Sequence, residues 1–255
     1  MLSTLNPHPR DSHILFDEGP HIYTIDGDSS FTSVTRWCHS HFSEFDADKI
    51  IAKMMKSPRW PKNKYHGKTA EEIKSMWDTN RDEASAAGTK LHYDIECFYN
   101  DEPRENDSVE YGYFNNFRRD FPDLKPYRSE WTVYDKELEF AGSIDMLFEN
   151  PDGSLQIYDW KRSKEIVKNK SFITFSTNPA ICHIPDTNYW HYTFQLNTYK
   201  AILERNYGKT ISDMFLVCMH PNHKNYQRIR VTNLPVEMNE LLTERISQLS
   251  KKNTT

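Results

Sequence analysis

Apolar positions between residues 138 and 157 fall into two alternating sets around a single turn. Leu138, Phe140, Ile144, Met146 and Phe148 make one set; Leu147, Leu155 and Ile157 make the other. Alternation with period two predicts strands over 138–148 and 155–162, joined by Pro151-Asp152-Gly153. Both faces are apolar, so the sheet is expected to be central, with helices on each side. Further strands are expected over 130–134, 211–219 and 226–231. Ala84, Leu91, Ile95 and Phe98 follow helical spacing, and Asn80 with Glu83 three residues on reads as a capping box that opens this helix. Other helices are expected over 47–55, 109–121, 188–206 and 234–249, with one carrying Trp37 and Phe42 after Ser33-Val34-Thr35. Residues 12–35 begin as a hairpin, with Asp26-Gly27-Asp28 as turn chemistry. The Lys- and Pro-rich stretch 57–68 reads as a mobile loop, 163–187 as irregular chain and 250–255 as a frayed tail. The chain thus divides into a hairpin-and-helix extension, 1–79, packed on an α/β core, 80–255.

Composition narrows the class. With 255 residues, 37% hydrophobic and 13% aromatic, the chain can bury a substantial core. A mean hydropathy of −0.81 and the lack of a long apolar run argue against a membrane span. The start MLSTLNPHPRDSH carries no readable targeting address. Cys38, Cys97, Cys182 and Cys218 are scattered without a C-x-x-C pair, which points to a reducing, intracellular compartment without disulfides or an iron–sulfur cluster. A net charge of −5 disfavours nucleic-acid binding by global charge. It leaves room for local basic groups such as Lys161, Arg162, Lys164, Lys168 and Lys170.

The chemistry concentrates on the two strands around that turn. A three-residue loop pairs 150 with 154, 147 with 157 and 145 with 159, making Asp145 and Asp159 cross-strand neighbours. Two such charges about 5 Å apart repel by about 3 kcal/mol at an effective dielectric of 20, so a cation between them is expected. Lys161 shares the face of Asp159. Gly88, His92 and Glu96 form one stripe of the preceding helix, with the mid-helix glycine suggesting close approach of a backbone or ligand. His92, Asp145 and Asp159 together suit Mg²⁺ or Mn²⁺. Lys161 would then stabilise transition-state charge or help to deprotonate water.

Gly88-Thr89…His92…Glu96, Gly142-Ser143-Ile144-Asp145, Asp159-Trp160-Lys161 and Gln195…Tyr199, in that order, resemble the RecB-like exonuclease branch of the PD-(D/E)XK nucleases. Tyr23…Ser33-Val34-Thr35 is similar to its stand-alone members, the mitochondrial genome maintenance exonucleases and their phage and large-virus relatives. The resemblance implies a restriction-endonuclease-like core, with a mixed sheet flanked by helices. It implies Mg²⁺- or Mn²⁺-dependent hydrolysis of DNA, from single strands or ends, in replication, recombination or repair, with proteins of those processes as partners. It makes His92, Asp145 and Asp159 metal ligands, the Trp160 carbonyl a further one and Lys161 the catalytic lysine. Gln195 and Tyr199 would brace the site or touch the DNA backbone. Glu96 and Glu130 are further candidate acids, and Thr89, Ser163 and Lys164 candidate phosphate contacts. Relatives that hold an iron–sulfur cluster do so through four cysteines, a spacing this chain lacks. Phe172, Phe175 and Trp190 could form an arch that stacks bases.

Three alternatives stand beside this reading. One is a DNA-binding module without activity; another is a structure-specific endonuclease of the same fold. The third is a zinc protein built on Cys218, His220 and His223 with Cys182 and His183.

Overall fold

The computed structural model describes residues 1–169 and 174–252; Lys170, Phe172 and the last three residues of the expected tail lie outside them. The chain opens with a short helix α1 (Leu2–Leu5) and a hairpin, β1 (Ile14–Asp17) and β2 (Ile22–Ile25), paired from Ile14↔Ile25 to Asp17↔Ile22. There follow β3 (Thr32–Ser33), α2 (Val34–His39), α3 (Ala47–Met55), α4 (Ala70–Tyr99), α5 (Val109–Asp120), β4 (Lys125–Asp135), β5 (Phe140–Glu149), β6 (Leu155–Lys161), α6 (Asn188–Asn206), β7 (Ile211–Cys218), β8 (Gln227–Arg230) and α7 (Pro235–Lys252). Strands β3 to β8 form one mixed sheet in the order β3-β5-β6-β7-β8, with β4 on the other edge of β5. Among the described residues, no helix is long and apolar enough to cross a membrane.

Helices cover both faces, as the two apolar sets require. On one face Leu147, Ile157 and Leu216 pack with Trp37, Phe194, Leu203 and Leu241 from α2, α6 and α7. On the other, Met146, Phe148, Tyr158, Trp160 and Val217 meet Leu91 and Ile95 of α4 and Phe114 and Phe117 of α5. Each fully buried side chain of this size contributes roughly 1.5–3 kcal/mol. Strand β5 does not keep one alternation throughout, however. Phe140 and Ile144 face the α6 side, whereas Met146 and Phe148 face α4, so the expected single set of five is split. The break lies opposite Glu130, whose φ is 42°, between the pairs Ser129↔Met146 and Trp131↔Ile144. A positive φ is uncommon for a non-glycine residue and re-aims the backbone locally.

Helix α4 starts ten residues before the expected Asn80. Its capping box is Thr69 with Glu72: Glu72 N–H donates to Thr69 Oγ1 (3.2 Å) and Thr69 N–H to Glu72 Oε2 (2.7 Å). Asn80 is mid-helix, its Nδ2 donating to Met76 O at 2.6 Å. Residues 78–86 are all exposed, so this stretch shows no apolar stripe to read. It bridges solvent between a small core (Ile51, Tyr65, Ile73) and the main one (Leu91, Ile95). The boundary expected after residue 79 falls inside this continuous helix. Phe42 lies beyond the end of α2, and Ser250–Lys252 belong to α7 rather than to a frayed tail.

Candidate active site

The register anticipated for β5 and β6 is the one observed, with Leu147↔Ile157 and Glu149↔Leu155, but the ladder ends at Met146↔Tyr158. Further along, the edge of β5 that faced β6 is taken by β3, at Phe140 and Ala141. The sheet therefore forks over residues 142–145, which need other hydrogen-bond partners. Asp145 fills part of that gap: its Oδ2 accepts from Trp160 N–H at 2.8 Å. Tyr199 of α6 fills another part, packing its ring on Gly142. A Cβ at Gly142 would lie 2.7 Å from Tyr199 Oη and 2.8 Å from Cε1, and the buried ring has nowhere to go. Gly142→Ala should lower stability by about 1–3 kcal/mol, a melting temperature lower by roughly 2–10 °C for a chain of this size; an unchanged melt would remove the close-approach assignment. Among the described residues no backbone comes close to Gly88, where an added Cβ would meet Arg162 Cβ at an ordinary 4.0 Å.

Three side chains converge at the mouth of the fork. His92 Nδ1 is 3.5 Å from Asp145 Oδ2 and 3.7 Å from Glu130 Oε1. Among the described residues, these three form the one group whose donor atoms all lie within 4.8 Å of one another. The other ring nitrogen, Nε2, is 2.8 Å from Trp160 O. An Nε2–H donated to that carbonyl leaves the Nδ1 lone pair aimed at the two acids. Ser143 Oγ donates to Glu130 Oε2 at 3.0 Å and so fixes that carboxylate. The backbone of Trp160 is thus clamped at both ends, its N–H by Asp145 and its carbonyl by His92.

Asp159 stands beside this group rather than within it. Its side chain is 4% exposed, and Oδ2 lies 2.6 Å from Lys161 Nζ. That contact lacks hydrogen-bond direction, and Oδ2 has no hydrogen-bond partner. Lys161 Nζ also sits over the Tyr192 ring, 4.8 Å from its centroid. Burial opposes the charge on Lys161, but the carboxylates of Asp159 and Asp145 outweigh it and hold the ammonium above its ordinary range. Burial likewise pushes the carboxyls of Asp145 and Asp159 up. For His92, burial works against protonation, yet Asp145 and the hydrogen bond and charge of Glu130 raise its pKa to about 9. The pocket draws in positive charge, as a proton or as a cation.

Imidazole and carboxylate donors, with the buried Asp159 carboxylate beside them, fit Mg²⁺ or Mn²⁺. His92, Glu130 and Asp145 could hold such an ion, with Asp159 and the Trp160 carbonyl adjoining. Protonated His92 stabilises the metal-free fold below about pH 6.5, a contribution of up to about 3 kcal/mol that is lost as pH rises toward 9. Because a metal must displace that proton, binding at neutral pH should release close to one proton per ion. Calorimetric titration in two buffers of different ionisation enthalpy measures this; equal heats in both would dismiss His92 as the displaced acid.

The remaining expected residues are dispersed around this centre. Glu96 lies one turn beyond His92, half-buried, its carboxyl pushed up by burial and by the Glu130 charge. Gln195 reaches Thr35 Oγ1 at 3.5 Å and hydrogen-bonds Tyr199. Thr89 is exposed. Ser163 Oγ donates to Glu165 O at 2.9 Å, and Lys164 is exposed, its carbonyl 2.7 Å from His223 Nε2. Phe175 is exposed, whereas Trp190 is half-buried with Lys168 Nζ 5.4 Å from its ring. Cys218, His220, His223, Cys182 and His183 form no donor group among the described residues; Cys218 Sγ donates to Ser163 O at 3.2 Å and His183 meets Glu237 at 3.3 Å. One aromatic residue near the site escaped the sequence reading. Tyr192 continues the stripe of Gln195 and Tyr199 at i, i+3, i+7, a spacing the sequence displays. Tyr23 hydrogen-bonds the Ser143 backbone, and burial with the charges of Glu130 and Asp145 raises its hydroxyl to about 12; nothing local to its strand signals this.

Comparison with known proteins adds a family. The profile described as the PD-(D/E)XK nuclease superfamily matches residues 47–254. No curated protein matches the chain. Solved structures that resemble it include a candidate exonuclease from Eubacterium rectale, 13% identical, with a TM-score of 0.32 over 61% of this chain and 70% of that one. A second, SSO0001, is 14% identical, with a TM-score of 0.32 over 85% of this chain and 84% of the other. Superpositions this loose have no bearing on activity.

Proposed function

Since the chain belongs to the PD-(D/E)XK nuclease superfamily, we propose that it is a Mg²⁺- or Mn²⁺-dependent DNA exonuclease of the RecB-like branch, acting on single strands or free ends. The observation that carries this reading is the convergence of His92 Nδ1, Glu130 and Asp145 at the fork of the sheet, with the Asp159–Lys161 pair alongside. A divalent ion bound there supplies Lewis-acid polarisation of the scissile phosphate and a more acidic bound water. The protein groups around it have separate tasks. Asp145 and Glu130 provide the negative charge that retains the ion. Trp160 O orients the His92 ring. Asp159 and the Tyr192 ring hold the Lys161 ammonium in place, where it meets the charge that builds on the phosphoryl oxygens. Tyr199, packed on Gly142, keeps the fork open at the spacing this needs. Replication, recombination or repair is the expected setting.

The test is cleavage of linear against circular single-stranded DNA, with 5′- and 3′-labelled oligonucleotides, in Mg²⁺ and in Mn²⁺. An exonuclease degrades the linear strand and spares the circle. Cleaved circles would move the reading to an endonuclease of the same fold, and binding without cleavage would move it to a DNA-binding module.

A further inference from the structure

Residues 56–68 are held in place rather than loose. Trp60–Lys62 form a short 3-10 turn, Tyr65 N–H donates to Asn63 Oδ1 at 3.0 Å, and Trp77 Nε1–H donates to Tyr65 Oη at 2.8 Å. Tyr65 packs with Ile51 and Ile73, and Met54, Met55, Trp60 and Trp77 surround them. The result is a small helical cap with its own core, joined to the main body by the exposed stretch of α4.

Segment 56–68 of this cap carries an unusual charge. Lys56, Arg59, Lys62, Lys64 and Lys68 are all exposed, and the segment contains no acid. With a net charge of −5 for the whole chain, +5 gathered here leaves −10 on the remainder. A polyanionic substrate would be repelled by most of this surface, so its approach needs a local positive seat. The cap sits at the start of α4, the helix that carries His92. Lys64 Nζ lies over the Tyr65 ring, 4.7 Å from its centroid. Although burial raises it, the Tyr65 hydroxyl is held below its ordinary value by hydrogen bonds with Lys64 and Trp77 and by the charges of Lys64 and Lys164. Lys164 is three residues beyond Lys161, a distance of about 11 Å at most. Lys164, exposed just after the site residue Lys161, is near enough for its charge to act on Tyr65 of the cap.

We propose that this cap is a seat for the sugar–phosphate backbone of a single DNA strand, with Lys56, Arg59, Lys62, Lys64 and Lys68 contacting phosphates. The proposal rests on the nuclease reading above for the identity of the polyanion. Contacts of this type carry no base information, so the seat accepts any sequence.

The test uses the full chain with all five residues changed to Gln, and separately Lys64→Glu with Lys68→Glu. All are exposed and lie outside the small core, and thermal melts check that each variant folds. Binding of a fluorescein-labelled oligo-deoxythymidine of about twenty nucleotides is followed by anisotropy in EDTA across a salt series. We expect Kd to rise at least about tenfold, and the slope of log affinity against log salt to shrink by about 0.7 for each phosphate that the variant no longer neutralises. Wild-type Kd and slope in both variants would overturn the seat, as would failure of the unaltered protein to bind the strand. Because EDTA prevents hydrolysis, this outcome is independent of activity. A protein that binds through the cap but never cleaves in Mg²⁺ or Mn²⁺ loses the nuclease reading and keeps the seat, and one that cleaves with unchanged binding in the variants does the reverse.

Discussion

Lys161→Ala should reduce turnover roughly 10²–10³-fold or more, about 3–4 kcal/mol of transition-state stabilisation, while the protein still folds and binds metal. The ammonium is held against a buried acid, at 2.6 Å from Asp159 Oδ2 and over the face of Tyr192. It is not itself a donor to the ion, so its loss should appear in kcat with little change in metal affinity. The substitution also leaves Asp159, 4% exposed, without the countercharge in contact with it. Stranding a buried carboxylate in this way costs about 3 kcal/mol, the low end for a broken pair since Lys161 itself keeps 17% exposure. The metal-free variant should therefore melt earlier than the unaltered protein, and added Mn²⁺ should recover most of the difference. Cleavage at the normal rate by a folded Lys161→Ala protein would end the role given to this residue.

Asp145 should be the most damaging position for metal retention, and two substitutions separate its two tasks. Asp145→Asn keeps an oxygen to accept from Trp160 N–H but removes the charge. It should weaken metal binding by at least about a hundredfold, abolish detectable cleavage and lower the pKa of His92, for which Asp145 is the foremost raising influence. Asp145→Ala removes the acceptor as well, leaving the Trp160 N–H unsatisfied at the fork. That adds about 1–3 kcal/mol of destabilisation over the Asn variant. Metal titration calorimetry and thermal melts in EDTA read the two effects separately. Normal metal affinity in Asp145→Asn would exclude this carboxylate from the centre, and equal melts for Asn and Ala would show that the Trp160 contact contributes nothing.

Local pattern was enough for most of the architecture. Helices α3 and α6 begin and end where apolar spacing and flanking residues place them, at Ala47–Met55 and Asn188–Asn206. The hairpin register follows from a loop of three residues, since side-chain alternation allows no slip of one. The start of helix α4 is not legible because residues 78–86 touch neither core, and amphipathic spacing exists only where one face is buried. Within the site, His92, Asp145, Asp159 and Lys161 are each visible as residue types on expected elements. Glu130 meets His92 from a residue with positive φ, which no neighbouring residue announces.

Periodicity, turn length and the order of short motifs are properties of the chain itself; they determined the two-sided sheet, the pairing of β5 with β6 and the identity of the chemical groups. Tertiary structure decided which of those groups meet. The fork at residues 142–145 arises because β3 and β6, far apart in sequence, share one edge of β5 without meeting along it. Glu130, at a positive φ, then brings a third acid to His92, while Asp159 turns to Lys161. Distances among residues from four separate elements depend on how those elements pack, and packing is a sum over the whole core that no local stretch of sequence contains.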